Sequence, residues 1–284
     1  MKTIRLATRG SKLALAQSNI VKSLLENRGY PAEIVTVSTR GDRDQKSPLT
    51  KIGGNGLFVR EVETYLLDGR ADIAVHSGKD LPYELASGLL IGGTPAAADP
   101  RDCLLSRRGT KPGAGAVIGS SSPRRTLECR RFYPDAEYQS IRGNVDTRLR
   151  KLRDGQYDGI ILAKAGLDRL QADLSDLDVR TFDVAEFLPA PCQGILAIEC
   201  RERDQEMRRI LKSMTDQTAW RRFLAEREML SLLQADCSAA LGAHCALQGE
   251  QAAITGLFQG RKATRTGLWS DYPALCREIL DEII

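Results

Sequence analysis

Apolar and polar positions alternate over residues 3 to 8, switch to helical spacing at 13, 15, 20, 21, 24 and 25, and alternate again from Glu33 to Ser38. The pattern predicts a strand, an amphipathic helix over Ser11 to Arg28 and a second strand, a β-α-β opening. Thr39 to Gly56 carries glycines, charges and a proline but no period, which marks a long loop of the functional, lid-like kind. A helix from Leu57 to Leu67 then leads into the apolar strand at 72 to 76. The alternation continues with a strand at 116 to 120, a helix from Pro123, a strand at 137 to 141, a helix at 144 to 153, and strands at 158 to 162 and 194 to 200. Such alternation predicts an α/β fold with mixed, mainly parallel sheets. After Thr215 the character changes to a long helix reaching about Gln234, three short strands near 243 to 248, 252 to 258 and 263 to 269, and a helix from Pro273, a small α+β unit.

The length of 284 residues favours several domains, and TPAAADPRD (94 to 102) reads as a hinge between two of them. A net charge of +4 implies no polycationic face, yet thirty of the 41 basic residues are arginine, whose planar fork grips carboxylate or phosphate in pairs of bonds. Seven scattered cysteines without CxxC spacing suggest neither a disulfide framework nor a metal site. The start, MKTIRLATRG, lacks the apolar core of a signal peptide, and no apolar run reaches membrane-spanning length. A soluble cytoplasmic protein is expected.

Candidate chemistry collects where strands end. DIAVHSGKDLP (72 to 82) places Lys79 and Asp80 after a buried strand, where open α/β sheets bind ligands; the alternative is an ordinary solvated pair. Thr8-Arg9-Gly10-Ser11 opens a helix whose free N–H groups and hydroxyl suit an anion, although a simple cap with an exposed arginine has the same sequence. Gly119 to Arg125, GSSSPRR, repeats the design with Ser120, Ser122, Arg124 and Arg125, and Arg142 to Arg148, RGNVDTR, repeats it again. Three such corners argue for one large polyanionic ligand. GGNGLF (53 to 58) and GAGAVIG (113 to 119) lack a Walker lysine, and the arginines are not interleaved with aromatics, so nucleotides and nucleic acids fit poorly. Cys237 sits in a short loop after the long helix, as a nucleophile, an attachment point or an inert thiol.

Taken in order, ATRGS, TRGD, GGNGLF, DIAVHSGKDLP, DPRD, GSSSPRR, RGNVDTR, ILAKAGLDRL, LPAPCQG, AIECR and the loop around Cys237 resemble the porphobilinogen deaminase (hydroxymethylbilane synthase) family, over residues 4 to about 245. The resemblance implies three domains: residues 1–95 with 195–213, and 99–188, both of periplasmic-binding-protein type and flanking a cleft, and 217–284, carrying the cofactor cysteine. It implies a transferase of tetrapyrrole (haem) biosynthesis that joins four porphobilinogen molecules head to tail on a dipyrromethane bound covalently to Cys237. Ammonia leaves at each step, and linear hydroxymethylbilane is finally released by hydrolysis. Asp80 would stabilise positive charge and handle protons. Arg9, Ser11, Lys79, Ser120, Ser122, Arg124, Arg125, Arg142, Arg148 and Arg169 would line the cleft, with Gln17 and Gln193 nearby and Lys51 and Phe58 at the far end of the cleft cover at 39 to 56. No metal, nucleic acid or membrane partner is implied, and a monomer is expected.

The chain departs from the family pattern in several places. Asn55 replaces the lysine of GGKGLF, Gly78 stands in HSGKD where HSMKD is usual, and LPAPCQG replaces LPAVGQG, bringing Pro191 and Cys192, a second thiol near the cleft. Lys164 stands where a small or apolar residue is more usual, and either faces the cleft or is a solvated helix-start lysine. Asp236 replaces a common glycine, and its charge would raise the pKa of the neighbouring thiol. The competing reading is a non-catalytic carboxylate-binding protein of periplasmic-binding type, which predicts no covalent adduct.

Overall fold

The computed structural model describes residues 2–38, 59–234 and 239–284. The chain forms two compact units, one of residues 1–98 and 195–223 and the other of 99–194 and 224–284.

In the first unit, β1 (Ile4–Arg9), β2 (Ala32–Val37), β3 (Ile73–Ser77), β4 (Leu89–Gly93) and β10 (Leu196–Arg201) form one sheet in the order β2-β1-β3-β10-β4. β1 runs parallel to β2 and β3, while β10 is antiparallel to both β3 and β4. Helix α1 (Lys12–Glu26) begins where the Ser11 hydroxyl accepts the Ala14 N–H. It packs Val21 and Leu25 against Leu6, Ile73 and Ile198, a core that α6 (Gln205–Ser213) completes with Met207, Ile210 and Leu211. On the other face α2 (Arg60–Leu67) sets Val62 and Leu66 against Ala7, Ala74 and Leu89.

The second unit builds the same pattern from other strands. β5 (Asp102–Arg107), β6 (Val117–Gly119), β7 (Glu137–Gln139), β8 (Gly159–Ala163) and β9 (Leu177–Thr181) lie in the order β7-β6-β8-β5-β9. β6 is parallel to β7 and β8, and β5 is antiparallel to β8 and β9. The lone antiparallel strand of each sheet, β10 or β5, is the one that follows the chain's entry from the other unit. Helices α3 (Pro123–Arg130), α4 (Val145–Arg153) and α5 (Lys164–Arg169) follow β6, β7 and β8.

Helix α7 (Gln217–Leu232) leads to the antiparallel sheet β11 (Leu241–Gln248), β12 (Gln251–Phe258) and β13 (Arg261–Leu268), covered by α8 (Tyr272–Ile283). This part has its own core, with Ala225 and Met229 of α7 packed on Ile254, Cys276 and Ile279. The expected mixed α/β class with an α+β C-terminal part is the fold observed. The periodicity overlooked β4, β5, β9 and α6. Asp102, read as the end of a hinge, is the first residue of a central buried strand. No helix among the described residues is long and apolar enough to cross a membrane.

Candidate functional site

Parallel neighbours release their C-terminal ends along one sheet edge, so in the first unit the ends of β1 and β3 lie side by side. Arg9 ends β1, and Ser11 caps α1 two residues later. After β3 the chain tightens into a 3-10 turn, Gly78–Asp80, that displays half-buried Lys79 and exposed Asp80. Asp80 has no hydrogen-bond or ion-pair partner among the described residues, a carboxylate left to solvent.

The strand beneath this turn is gripped from both faces. Buried Gln17 donates its Nε2 to Ser77 Oγ at 2.8 Å from the α1 face, and His76 Nε2 meets Glu199 Oε2 at 3.0 Å on the α2 face. The Gly78 N–H donates to Ile195 O at 2.8 Å. Glu63 of α2, also buried, accepts the Ala86 N–H at 3.1 Å; burial pushes its carboxyl up despite that bond.

The second unit gathers three strand ends on one edge. The Ser122 hydroxyl caps α3 by accepting the Arg125 N–H, with Pro123 at the first helical position, while Ser120 Oγ accepts the Ser122 N–H at 3.2 Å. Ser121 Oγ donates to Ile141 O at 2.6 Å, tying this turn to the chain beyond β7. Asn144 caps α4, and Gly143 before it has φ 111°, where an added Cβ would meet Thr147 Cγ2 at 2.6 Å. Arg148 donates from Nε to Gly143 O at 2.8 Å.

The arginines of this edge fall into two kinds. Arg124 and Arg125 are only 2% and 8% exposed and both turn inward onto Asp102, at 2.8 Å each. Burial pushes the Arg124 guanidinium down from its ordinary value, against the pull of Asp102. Arg142 has no carboxylate partner among the described residues, and its Nη1 is buried without a hydrogen bond. Arg169 donates from Nη2 to Gly194 O at 2.6 Å and has no carboxylate partner among the described residues, and burial pushes it down to about 10. Among the described residues, neither guanidinium is paired with a carboxylate.

Gln193 lies fully buried beside Asp102, donating to its Oδ1 at 3.0 Å. Cys192 takes φ 61°, a left-handed backbone suited to the glycine usual in the family pattern, and its thiol is buried. Its N–H is fixed at 2.6 Å by Glu226 Oε2, a buried carboxylate of α7 that also accepts the Cys245 N–H at 3.1 Å. Lys164 spends its ammonium on Asp168, one turn along α5, at 2.7 and 2.8 Å. Cys237, Lys51 and Phe58, together with Asn55 and Asp236, lie outside the described residues. Asp102 is the site residue that motif reading passed over; its signal was the second aspartate of DPRD, an acid opening an apolar run.

In each of the two α/β units, parallel strands end on one edge of the sheet in turns and helix starts that carry basic and hydroxyl side chains. The family profile "Porphobilinogen deaminase, dipyromethane cofactor binding domain" matches residues 4–209. A porphobilinogen deaminase of Roseiflexus sp. is 39% identical over all of this chain and 96% of its own length. That of Bacillus subtilis is 42% identical over 90% of this chain and 83% of its own, and that of Exiguobacterium sibiricum 43% over 85% and 80%. Among solved structures, a periplasmic binding protein of Salmonella typhimurium, described as highly arginine-specific, superposes with a TM-score of 0.46 at 8% identity, covering 78% of this chain and 94% of its own. The chain belongs to the porphobilinogen deaminase family.

Proposed function

We propose that the chain is a hydroxymethylbilane synthase. It condenses four porphobilinogen molecules head to tail, releases ammonia at each step and hydrolyses the linear product free. The observation that carries the reading in atomic terms is the contrast at the second unit's edge. Arg142, whose Nη1 is buried without a hydrogen bond, and Arg169, whose pKa burial lowers, have no carboxylate partner among the described residues, and the hydroxyl-lined start of α3 belongs to the same unit.

A dipyrromethane carrying acetate and propionate groups fits that deficit, and Cys237 is the residue proposed to bear it. When bound, it supplies the nucleophilic pyrrole carbon from which the chain is extended. Arg142, Arg169 and Arg148 hold carboxylates along the second unit's edge, with Ser120 and Ser122 as hydroxyl donors and Arg124 and Arg125 behind them. Arg9, Ser11 and Lys79 do the same along the first unit's edge, where Gln17 fixes Ser77 below the turn. Asp80, exposed and without a partner among the described residues, offers its carboxylate to the pyrrole N–H groups and to the positive charge that develops as ammonia departs. Lys51 and Phe58 are proposed as further residues that contact the cofactor or substrate. The six described cysteines are all buried, and we assign the protein to the cytoplasm as a monomer.

The test is intact mass under denaturing conditions combined with porphobilinogen turnover. The reading expects an addition of two porphobilinogen units less two ammonias, lost on Cys237→Ser. A fully active protein with no adduct overturns it, and an adduct-free protein that merely binds carboxylates returns the binding-protein alternative.

A further inference from the structure

Asp102 is wholly buried at the first position of β5, and donors from two other stretches of the second unit converge on its carboxylate. Arg124 Nη2 donates to Oδ2 at 2.8 Å. Oδ1 accepts from Arg125 Nε and from Gln193 Nε2, each at 3.0 Å, and lies in an ion pair 2.8 Å from Arg125 Nη2. Each donor is tied down again elsewhere: Arg124 Nη1 to Leu188 O at 2.6 Å, Arg125 Nη1 to Ile161 O at 3.1 Å, and Gln193 Nε2 to Pro100 O at 2.6 Å.

One carboxylate thus organises two buried cations, the first turn of α3 and the segment 188–193. Burying such a network gains little stability over an apolar core of equal volume, so what it supplies is geometry. The geometry reaches two groups with a use. The first turn of α3 carries Arg125 and the Ser120–Ser122 hydroxyls, and Gly194, next to Gln193, holds Arg169 through its carbonyl at 2.6 Å.

We infer that Asp102 is a positioning residue for carboxylate recognition, fixing the α3 corner and the Arg169 guanidinium in one frame through Arg125 and Gln193. The inference rests on the reading of this edge as the wall that binds the pyrrole carboxylates. A misplacement of about 1 Å in such a frame costs up to about a hundredfold in activity.

Asp102→Glu keeps the charge but lengthens the arm by one methylene. It is expected to fold, judged by circular dichroism and thermal melting, yet to raise the KM for porphobilinogen about tenfold or to leave most chains without the covalent dipyrromethane. The kcat per loaded enzyme is expected to change far less. Asp102→Asn leaves two buried cations uncompensated, so it is paired with the double variant Asp102→Asn/Arg124→Gln, which restores the local net charge. That variant is expected to fold and still show the raised KM. A folded Asp102→Glu or double variant with wild-type KM and loading overturns the inference, as does loss of folded protein alone with KM unchanged in what remains. If wild-type protein carries no adduct and consumes no porphobilinogen, it is the reading of the site that fails.

Discussion

Each arginine at the sheet edges is defined by what its guanidinium already touches. Arg124 and Arg125 are satisfied by Asp102 and backbone carbonyls, whereas Arg142 leaves a buried N–H unpaired. Arg142→Ala should therefore cost little stability, because it also removes an unsatisfied donor worth about 1 kcal/mol. It should raise KM or depress dipyrromethane loading at least tenfold, read by steady-state kinetics and intact mass. Asp80 is exposed and has no partner among the described residues, so Asp80→Asn should melt within about 2 °C of the parent while losing most porphobilinogen turnover; near wild-type turnover would remove Asp80 from the chemistry. Cys192 sits at φ 61° with its thiol buried, which sets two effects against each other. Cys192→Gly relieves about 1 kcal/mol of backbone strain and loses a similar amount of burial, so its urea midpoint should barely move. Cys192→Val, branched at Cβ in a left-handed conformation, should be destabilised by about 2 kcal/mol.

At the scale of elements, β3 is the strand that presents the Asp80 turn, and its approach is stapled at Asp72. The buried Asp72 carboxylate accepts the Arg5 N–H and its guanidinium at 3.0 Å, with Lys2 and Arg201 at 3.4 and 3.5 Å. Burial alone would raise its pKa, but the Arg5 hydrogen bonds and the Arg5 and Lys2 charges outweigh it and hold the group at about 2. A carboxyl depressed in the folded state stabilises above its unfolded pKa, near 3.8, and that stability disappears as pH falls through about 2. After allowance for screening of the partly hydrated Lys2 and Arg5, the contribution is about 1–2 kcal/mol. Urea midpoints of the parent and Asp72→Asn should differ at pH 6 and converge between pH 4 and 2; a gap constant down to pH 2 would mean the staple is not ionic. The helices that open the site edges were legible because their caps are local. Ser11, Ser122 and Asn144 each bond an N–H three residues ahead, so short-range chemistry places these N-termini. Helix α6 was passed over although Met207, Ile210, Leu211 and Met214 follow helical spacing and all are buried.

Across the whole molecule, two sheets of identical strand order arise from strands far apart in the chain, each admitting one antiparallel strand where the chain arrives from the other unit. A monomer is the expected assembly, and sedimentation equilibrium should return the mass of one chain at micromolar concentration; a concentration-dependent dimer would contradict it. The sequence by itself determined the α/β class, the strand ends where basic side chains gather, the α+β tail and the family, because periodicity, caps and short motifs are written in neighbouring residues. Only the tertiary structure decided which strands run antiparallel and which edge each strand end joins, since β3 meets β10 across more than a hundred residues. It also decided the allotment of charge. Asp102 lies 22 residues from Arg124 and 91 from Gln193, and pairing at that separation depends on burial, which no local pattern records. Two adjacent basic corners that read alike in sequence, GSSSPRR and RGNVDTR, thereby become a pair of arginines held on one buried carboxylate and an arginine whose buried Nη1 has no hydrogen bond.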